Sequence, residues 1–188
     1  MGKCCAPLLL ALGVAAATAH AQVVNPDFDV GATGWTFHLD AGGGGVLQWD
    51  DASGDPAPGS VSAFNAFPGA HVDGWRQCVA VAGADYAFAA NVASALQAGN
   101  SCRVTIDFLA GPDCANGTPI ALEVKLTNSR NDGTFETVAG GGPLPDGVEA
   151  AALSLDHVRS AAADAGDSSC HFDHVSLGAD TIFAGAFD

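Results

Sequence analysis

"CRVTIDFLA", residues 102–110, alternates with period two. Val104, Ile106 and Phe108 fall on one side of an extended chain, with Arg103, Thr105 and Asp107 on the other. "DYAFAANV", residues 85–92, repeats the pattern with Tyr86, Phe88, Ala90 and Val92. Working outward, "WTFHL", "GVLQWD", "SVSAFNA", "CVAV", "ALEVKL", "TFETVA" and "HFDHVSL" read as further short strands. Turn segments separate them: "DAGGGG", "DDASGDPAPG", "AGPDCANG", "NSRNDG" and "AGGGPLPDG". "GVEAAALSLDHVRSAAADAG", residues 147–166, has a composition that also suits a helix. We read Val148–His157 as a strand, because a lone helix would have to find its own place against a sandwich. Short, evenly punctuated strands without alternating helices predict an all-β fold, an antiparallel β-sandwich of the jelly-roll kind.

The chain opens with "MGKCCAPLLLALGVAAATAHA", where a basic start at Lys3 precedes an apolar run and Ala19-His20-Ala21. That is the pattern of a secretory leader spanning residues 1–21, with the mature chain starting at Gln22. A membrane anchor competes poorly, since small residues break the run and no stop-transfer charges follow. Cys4 and Cys5 precede the apolar run and cannot serve as a lipoprotein cysteine at the cleavage point. The expected organisation is a sandwich domain over 22–178 and a short apolar tail over 179–188. Residues 22–188 are enough for one sizeable core. No second apolar stretch is long enough to span a bilayer.

The 188 residues carry a formal charge of −15; removing Lys3 with the leader leaves five basic residues against 21 acidic ones, or −16. Such a surface repels phosphate backbones, which argues against nucleic acid as a partner. Four cysteines remain, Cys78, Cys102, Cys114 and Cys170. In an exported chain they read as two structural disulfides with three possible connectivities, and no C-x-x-C pair points to zinc. His171 and His174 are close in sequence, but residues three apart on a strand face opposite ways. Asp51, Ser53 and Asp55 alternate like a calcium loop, yet the central glycine and distal glutamate of an EF-hand are missing. The sequence has no G-x-S-x-G elbow, no H-E-x-x-H and no phosphate-binding glycine loop, so no catalytic residue is assigned.

The two ends of the domain carry motifs that belong together. "NPDFDVGATGW" (residues 25–35), "RQCVAVAGADYAFAANV" (residues 76–92) and "FDHVSL" (residues 172–177) follow one another in that order. The set resembles secreted carbohydrate-binding-module-like domains of the CenC type, within the galactose-binding-like jelly rolls. The resemblance implies that the N-terminal segment and the last strand lie together, often around a structural calcium. Carried over, Asp29 and Asp173 stand at the acid positions, with His174 where the family often has a second aspartate. An ion there would account for Asp173 falling in phase with Val175 and Leu177, since an unpartnered buried carboxylate is costly. Similar domains also carry cysteines at the places of Cys78 and Cys114, which implies that bridge and leaves Cys102 with Cys170. Phe28 and Trp35 read as core anchors.

The resemblance implies a secreted, non-catalytic module that binds a polysaccharide or surface glycan. Sugar recognition needs an exposed aromatic against a pyranose face, with acids and amides reading hydroxyls. The candidates are Trp49 with Asp50 and Asp51, and Trp75 with Arg76 and Gln77; Tyr86 falls in the buried phase. The alternative is a structural or adhesive envelope protein that keeps the sandwich without a sugar cleft. Aromatics, acids and amides on a sheet face would favour the first, and a face of Ala, Thr and Ser the second. The tail "GADTIFAGAFD" is similar to short apolar tails of exported Gram-negative proteins, and its Ile182, Phe183 and Phe187 are expected to fold back on the domain. Nothing in the sequence sets the oligomeric state.

Overall fold

The computed structural model describes residues 23–39, 44–66, 68–128, 130–160 and 166–178. The leader (1–21), Gln22 and the tail (179–188) lie outside the described residues. Ten strands are described: β1 (Thr36–Leu39), β2 (Val46–Asp50), β3 (Ser60–Asn65), β4 (His71–Ala80), β5 (Asp85–Ala95), β6 (Asn100–Ala110), β7 (Thr118–Thr127), β8 (Glu136–Pro143), β9 (Ala150–Arg159) and β10 (Ser168–Gly178). They form two five-stranded antiparallel sheets. The front sheet has the order β1-β4-β9-β6-β7 and the back sheet β2-β3-β10-β5-β8. This is the expected all-β sandwich. No helix among the described residues is long and apolar enough to cross a membrane.

The core lies between the sheets and follows the alternation read in the sequence. Val104, Ile106 and Phe108 of β6 face Phe172 of β10 and Phe88 and Val92 of β5, all nearly inaccessible. Tyr86 is buried too, its ring 4.9 Å from that of Phe108. Disulfides join Cys78 to Cys114 and Cys102 to Cys170. The second bridge runs from β6 to β10 and so ties the two sheets together.

The strand reading of the Ala-rich stretch holds, and two others change. The stretch forms β9, a central strand paired on both sides, where residues 150–157 are all buried. Near-continuous burial, rather than alternation, is why its composition resembles a helix. β4 starts at His71 and not at Cys78, with Asp73 and Gly74 inside the strand. A Cβ at Gly74 would lie 2.7 Å from Asp156 Oδ1 on β9, so the glycine marks a close approach rather than a bend. Gly140–Gly142, read as a turn, extend β8 opposite Tyr86–Phe88; a Cβ at Gly141 would lie 2.7 Å from the Tyr86 carbonyl.

Candidate functional site

The N-terminal segment is fastened to the edge of the sandwich by Gln77, expected to bind sugar, and by Trp35 and Phe28, expected as core anchors. Gln77 Oε1 accepts from the Val24 amide at 2.7 Å, and its Nε2 donates to the carbonyls of Val24 (2.9 Å) and Gly34 (3.1 Å). Trp35 donates Nε1 to the Val24 carbonyl at 3.1 Å and packs its ring 5.3 Å from that of the fully buried Phe28. Trp75 is a core residue whose Nε1 donates to the Ser62 carbonyl at 3.0 Å. Trp75 and Gln77, named as sugar-binding candidates, therefore face inward; both have the parity of Val79 on a strand whose inner face is buried.

Trp49 sits on the edge strand β2 with 37% of its surface exposed, and its Nε1 donates to the Phe28 carbonyl at 2.6 Å. The indole nitrogen is thereby used, while part of the ring remains open. Asp50 lies 3.7 Å from His171 Nδ1 and also accepts from the Ala52 amide. Asp51 is exposed on the bend that follows. Burial lowers the His171 pKa against the opposing pull of Asp50, so this imidazole is neutral at pH 7.

Asp29 and Asp173 differ in environment. Asp29 is exposed on the turn after Phe28, whereas Asp173 is inaccessible. Asp173 is out of phase with Val175 and Leu177, contrary to the sequence reading. The pairing of β10 with β5 shifts between Asp173 and Ser176, and His174 takes a positive φ of 47°. That bulge turns Asp173 to the outer face with His171, while Phe172, Val175 and Leu177 point inward. Asp173 is buried because the loop after β2 crosses it. Its Oδ2 accepts from the Asp55 amide at 2.6 Å and its Oδ1 from the His174 amide at 2.7 Å. Burial, with the Asp27 charge adding to it, raises its pKa to about 6 against these hydrogen bonds. Each oxygen accepts one N–H and keeps a lone pair, so the residue suits a cation; Asp29 brings no described partner to it. Asp27 contacts His174 Nδ1 at 2.7 Å, and beside them a cleft of about 380 Å³ includes Asn91 and Thr137.

The outer face of the front sheet carries charge. Register places His38, Gly74, Asp156 and Arg103 in one row across four strands, and Thr36, Arg76, Ser154 and Thr105 in the next. Arg103 Nη2 donates to Asp156 Oδ2 at 3.2 Å, and the Thr105 hydroxyl donates to the same oxygen at 3.2 Å. Arg76 Nη2 donates to Asp107 Oδ2 at 3.4 Å, with both side chains about one-third exposed. Asp156 Oδ1, Arg76 Nε and Arg103 Nε are buried without a hydrogen-bond partner among the described residues. Burial raises the Asp156 pKa, more than Arg103 lowers it.

The sequence reading placed Arg76 as a ligand residue and it stands on this face. Arg103, Thr105 and Asp107 were read as the outer positions of β6 without a role, and Asp156 was not singled out. Their alternation in "CRVTIDF" was the available signal; pairing with β4 and β9 is what assembles them. The outer face of the back sheet is different: Ala87, Ala89 and Ala93 on β5, Ser62 on β3 and Thr137 and Ala139 on β8 surround Asn91, His171 and Asp173.

No protein-family model and no curated protein matches this chain. Solved structures do. The enzymatically active domain of tailspike protein 4 of Bacteriophage CBA120 superposes with a TM-score of 0.61 at 14% identity over 84% of this chain, which spans only 21% of that one. A family 16 carbohydrate-binding module superposes at 0.58 and 15% identity, covering 82% of this chain and 96% of its own. The module TmCBM61, solved with β-1,4-galactotriose, superposes at 0.54 and 13% identity over 84% and 97%. At these identities the likeness is one of fold. The chain has the jelly-roll sandwich found in carbohydrate-binding modules.

Proposed function

We propose that this is an exported, non-catalytic module that binds a neutral polysaccharide or surface glycan through the outer face of its front sheet. One observation carries the site: Arg76–Asp107 and Arg103–Asp156 lie on adjoining positions of a sheet face in a carbohydrate-binding-module fold. Sugar hydroxyls both donate and accept, so the partly exposed Arg76–Asp107 pair can bracket neighbouring hydroxyls, with the Arg103 guanidinium beside it held by the buried Asp156. The ion pairs hold these groups in place before binding, which limits the entropy lost on ligation. The strongly acidic chain disfavours polyanionic glycans. A structural calcium at Asp173, which the resemblance implies, is part of this reading; its buried carboxylate keeps lone pairs free for such an ion.

The test is affinity electrophoresis of the disulfide-bonded protein through neutral polysaccharides, with calcium and with EGTA. Retardation by one glycan class, abolished by Arg76→Ala and kept by Trp49→Ala, is the expected result. Loss with Trp49→Ala alone would move the site to the β2 edge. A lower Tm in EGTA is expected from the calcium assignment, and an unchanged Tm would remove it. The second reading, a structural or adhesive envelope protein, draws on the Ala-, Ser- and Thr-rich outer face of the back sheet; no retardation by any glycan in a folded sample would favour it.

A further inference from the structure

Three side chains at one end of the sandwich form a cluster that glycan binding does not use. His71 and Asp73 are two apart on β4 and face inward, and register sets His157 of β9 directly opposite Asp73. All three are buried, with relative exposures of 5%, 0% and 0%. Their ligand atoms lie within 4.8 Å of one another, with His71 Nε2 3.4 Å from Asp73 Oδ2. In a sandwich interior such positions are normally apolar, as Trp75 and Leu155 are one step further along the same strands.

The polar atoms of this cluster are not satisfied from within. His71 Nε2, Asp73 Oδ1 and both ring nitrogens of His157 have no hydrogen-bond partner among the described residues. Asn65 donates Nδ2 to Asp73 Oδ2, the outer-shell contact that orients a ligating carboxylate. Gly45 backs the carboxylate, and a Cβ there would lie 2.6 Å from Asp73 Oδ2. Arg159, opposite His71 in register, donates Nη1 to the Gly166 carbonyl at 3.4 Å; its positive charge makes the Asp73 carboxylate necessary to any cation held here.

We propose that His71, Asp73 and His157 form a buried structural site for a zinc-class divalent transition metal. Two imidazoles and one carboxylate suit zinc, whereas calcium takes an all-oxygen set. Cys102 lies opposite His157 on β6, but its sulfur is bonded to Cys170, so the site draws on nitrogen and oxygen without thiolate. A bound ion would take up one nitrogen of each imidazole and a carboxylate oxygen of Asp73, and so clamp β4 to β9 where these strands meet the end of the sandwich. The proposal does not depend on the glycan reading or on calcium.

The experiment uses the full chain with its disulfides formed, stripped with EDTA, dialysed and titrated with Co²⁺. The expected result is one Co²⁺ per chain, with visible bands of a four-coordinate ion that Zn²⁺ displaces. Asn65→Ala should weaken binding about 10–100-fold through the lost outer-shell contact. His157→Gln should abolish the bands, while His171→Ala/His174→Ala, on the outer face, should leave them unchanged. Should His157→Gln fail to fold, X-ray absorption of the wild-type Zn²⁺ complex decides: two imidazole ligands support the site, and none overturns it. A folded wild-type chain that shows no bands, or bands lost only with the His171/His174 double variant, also overturns it.

Discussion

Replacing Arg103 with alanine leaves Asp156 buried beside an empty space where its guanidinium partner had been. The Asp156 side chain is 2% exposed and that of Arg103 is 21% exposed, so the pair is shielded on one side and partly wet on the other. Breaking a fully buried pair by removing one partner costs about 3–5 kcal/mol; the partial exposure of Arg103 brings the expected loss to about 2–3 kcal/mol at pH 7. The Thr105 hydroxyl still donates to Asp156 Oδ2 and keeps the loss from being larger. The folded pKa of Asp156 is already raised by burial and rises further without Arg103. A raised carboxyl pKa means that folding favours the protonated form, so the stability it supplies is present at low pH and is lost as pH rises through the folded pKa. Arg103→Ala must therefore be milder at pH 4.5 than at pH 7. Urea unfolding at both values measures this, and with a slope of about 2 kcal/mol/M the midpoint should fall by about 1–1.5 M at pH 7. Adding Asp156→Asn removes the stranded charge and should restore more than half of the loss. An equal shift at both pH values, or no recovery in the double variant, would refute the argument from a buried uncompensated charge.

Asp173, with its pKa at about 6, should act the same way: between pH 7 and pH 4 in EGTA, wild type should gain about 2 kcal/mol relative to Asp173→Asn, by linkage from a reference value of 3.8. Urea unfolding of both proteins at the two pH values tests it, and a constant difference would contradict it. Cys78 is exposed whereas Cys102 and Cys170 are inaccessible. Mild reductant followed by alkylation and mass spectrometry should open Cys78–Cys114 first, leaving Cys102–Cys170 intact until the chain unfolds; simultaneous opening would argue against the inter-sheet bridge being protected. Gly74→Ala should destabilise by about 1–3 kcal/mol through overpacking, read by thermal melting, because its Cβ would press on Asp156 Oδ1 and the Leu155 carbonyl.

The sequence by itself determined what depends on local periodicity. Alternation in residues 102–110 and 85–92 set the strands and their buried sides, since a side chain's face on a strand follows from parity alone. The motifs at the two ends indicated a jelly roll before any coordinates. Parity misled only where the backbone breaks it, as at the His174 bulge, which rotates Asp173 to the outside. It also could not show that Asp73-Gly74 continues a strand, because the reason is an approach to β9, some 80 residues later. Tertiary structure alone decided which polar residues meet. Arg76, Arg103, Asp107 and Asp156 come from three strands that are not consecutive in the chain, and so do not form a motif. His71, Asp73 and His157 likewise become neighbours only through the pairing of β4 with β9. Such contacts depend on strand order and register, set by the burial of the whole core rather than by any one segment.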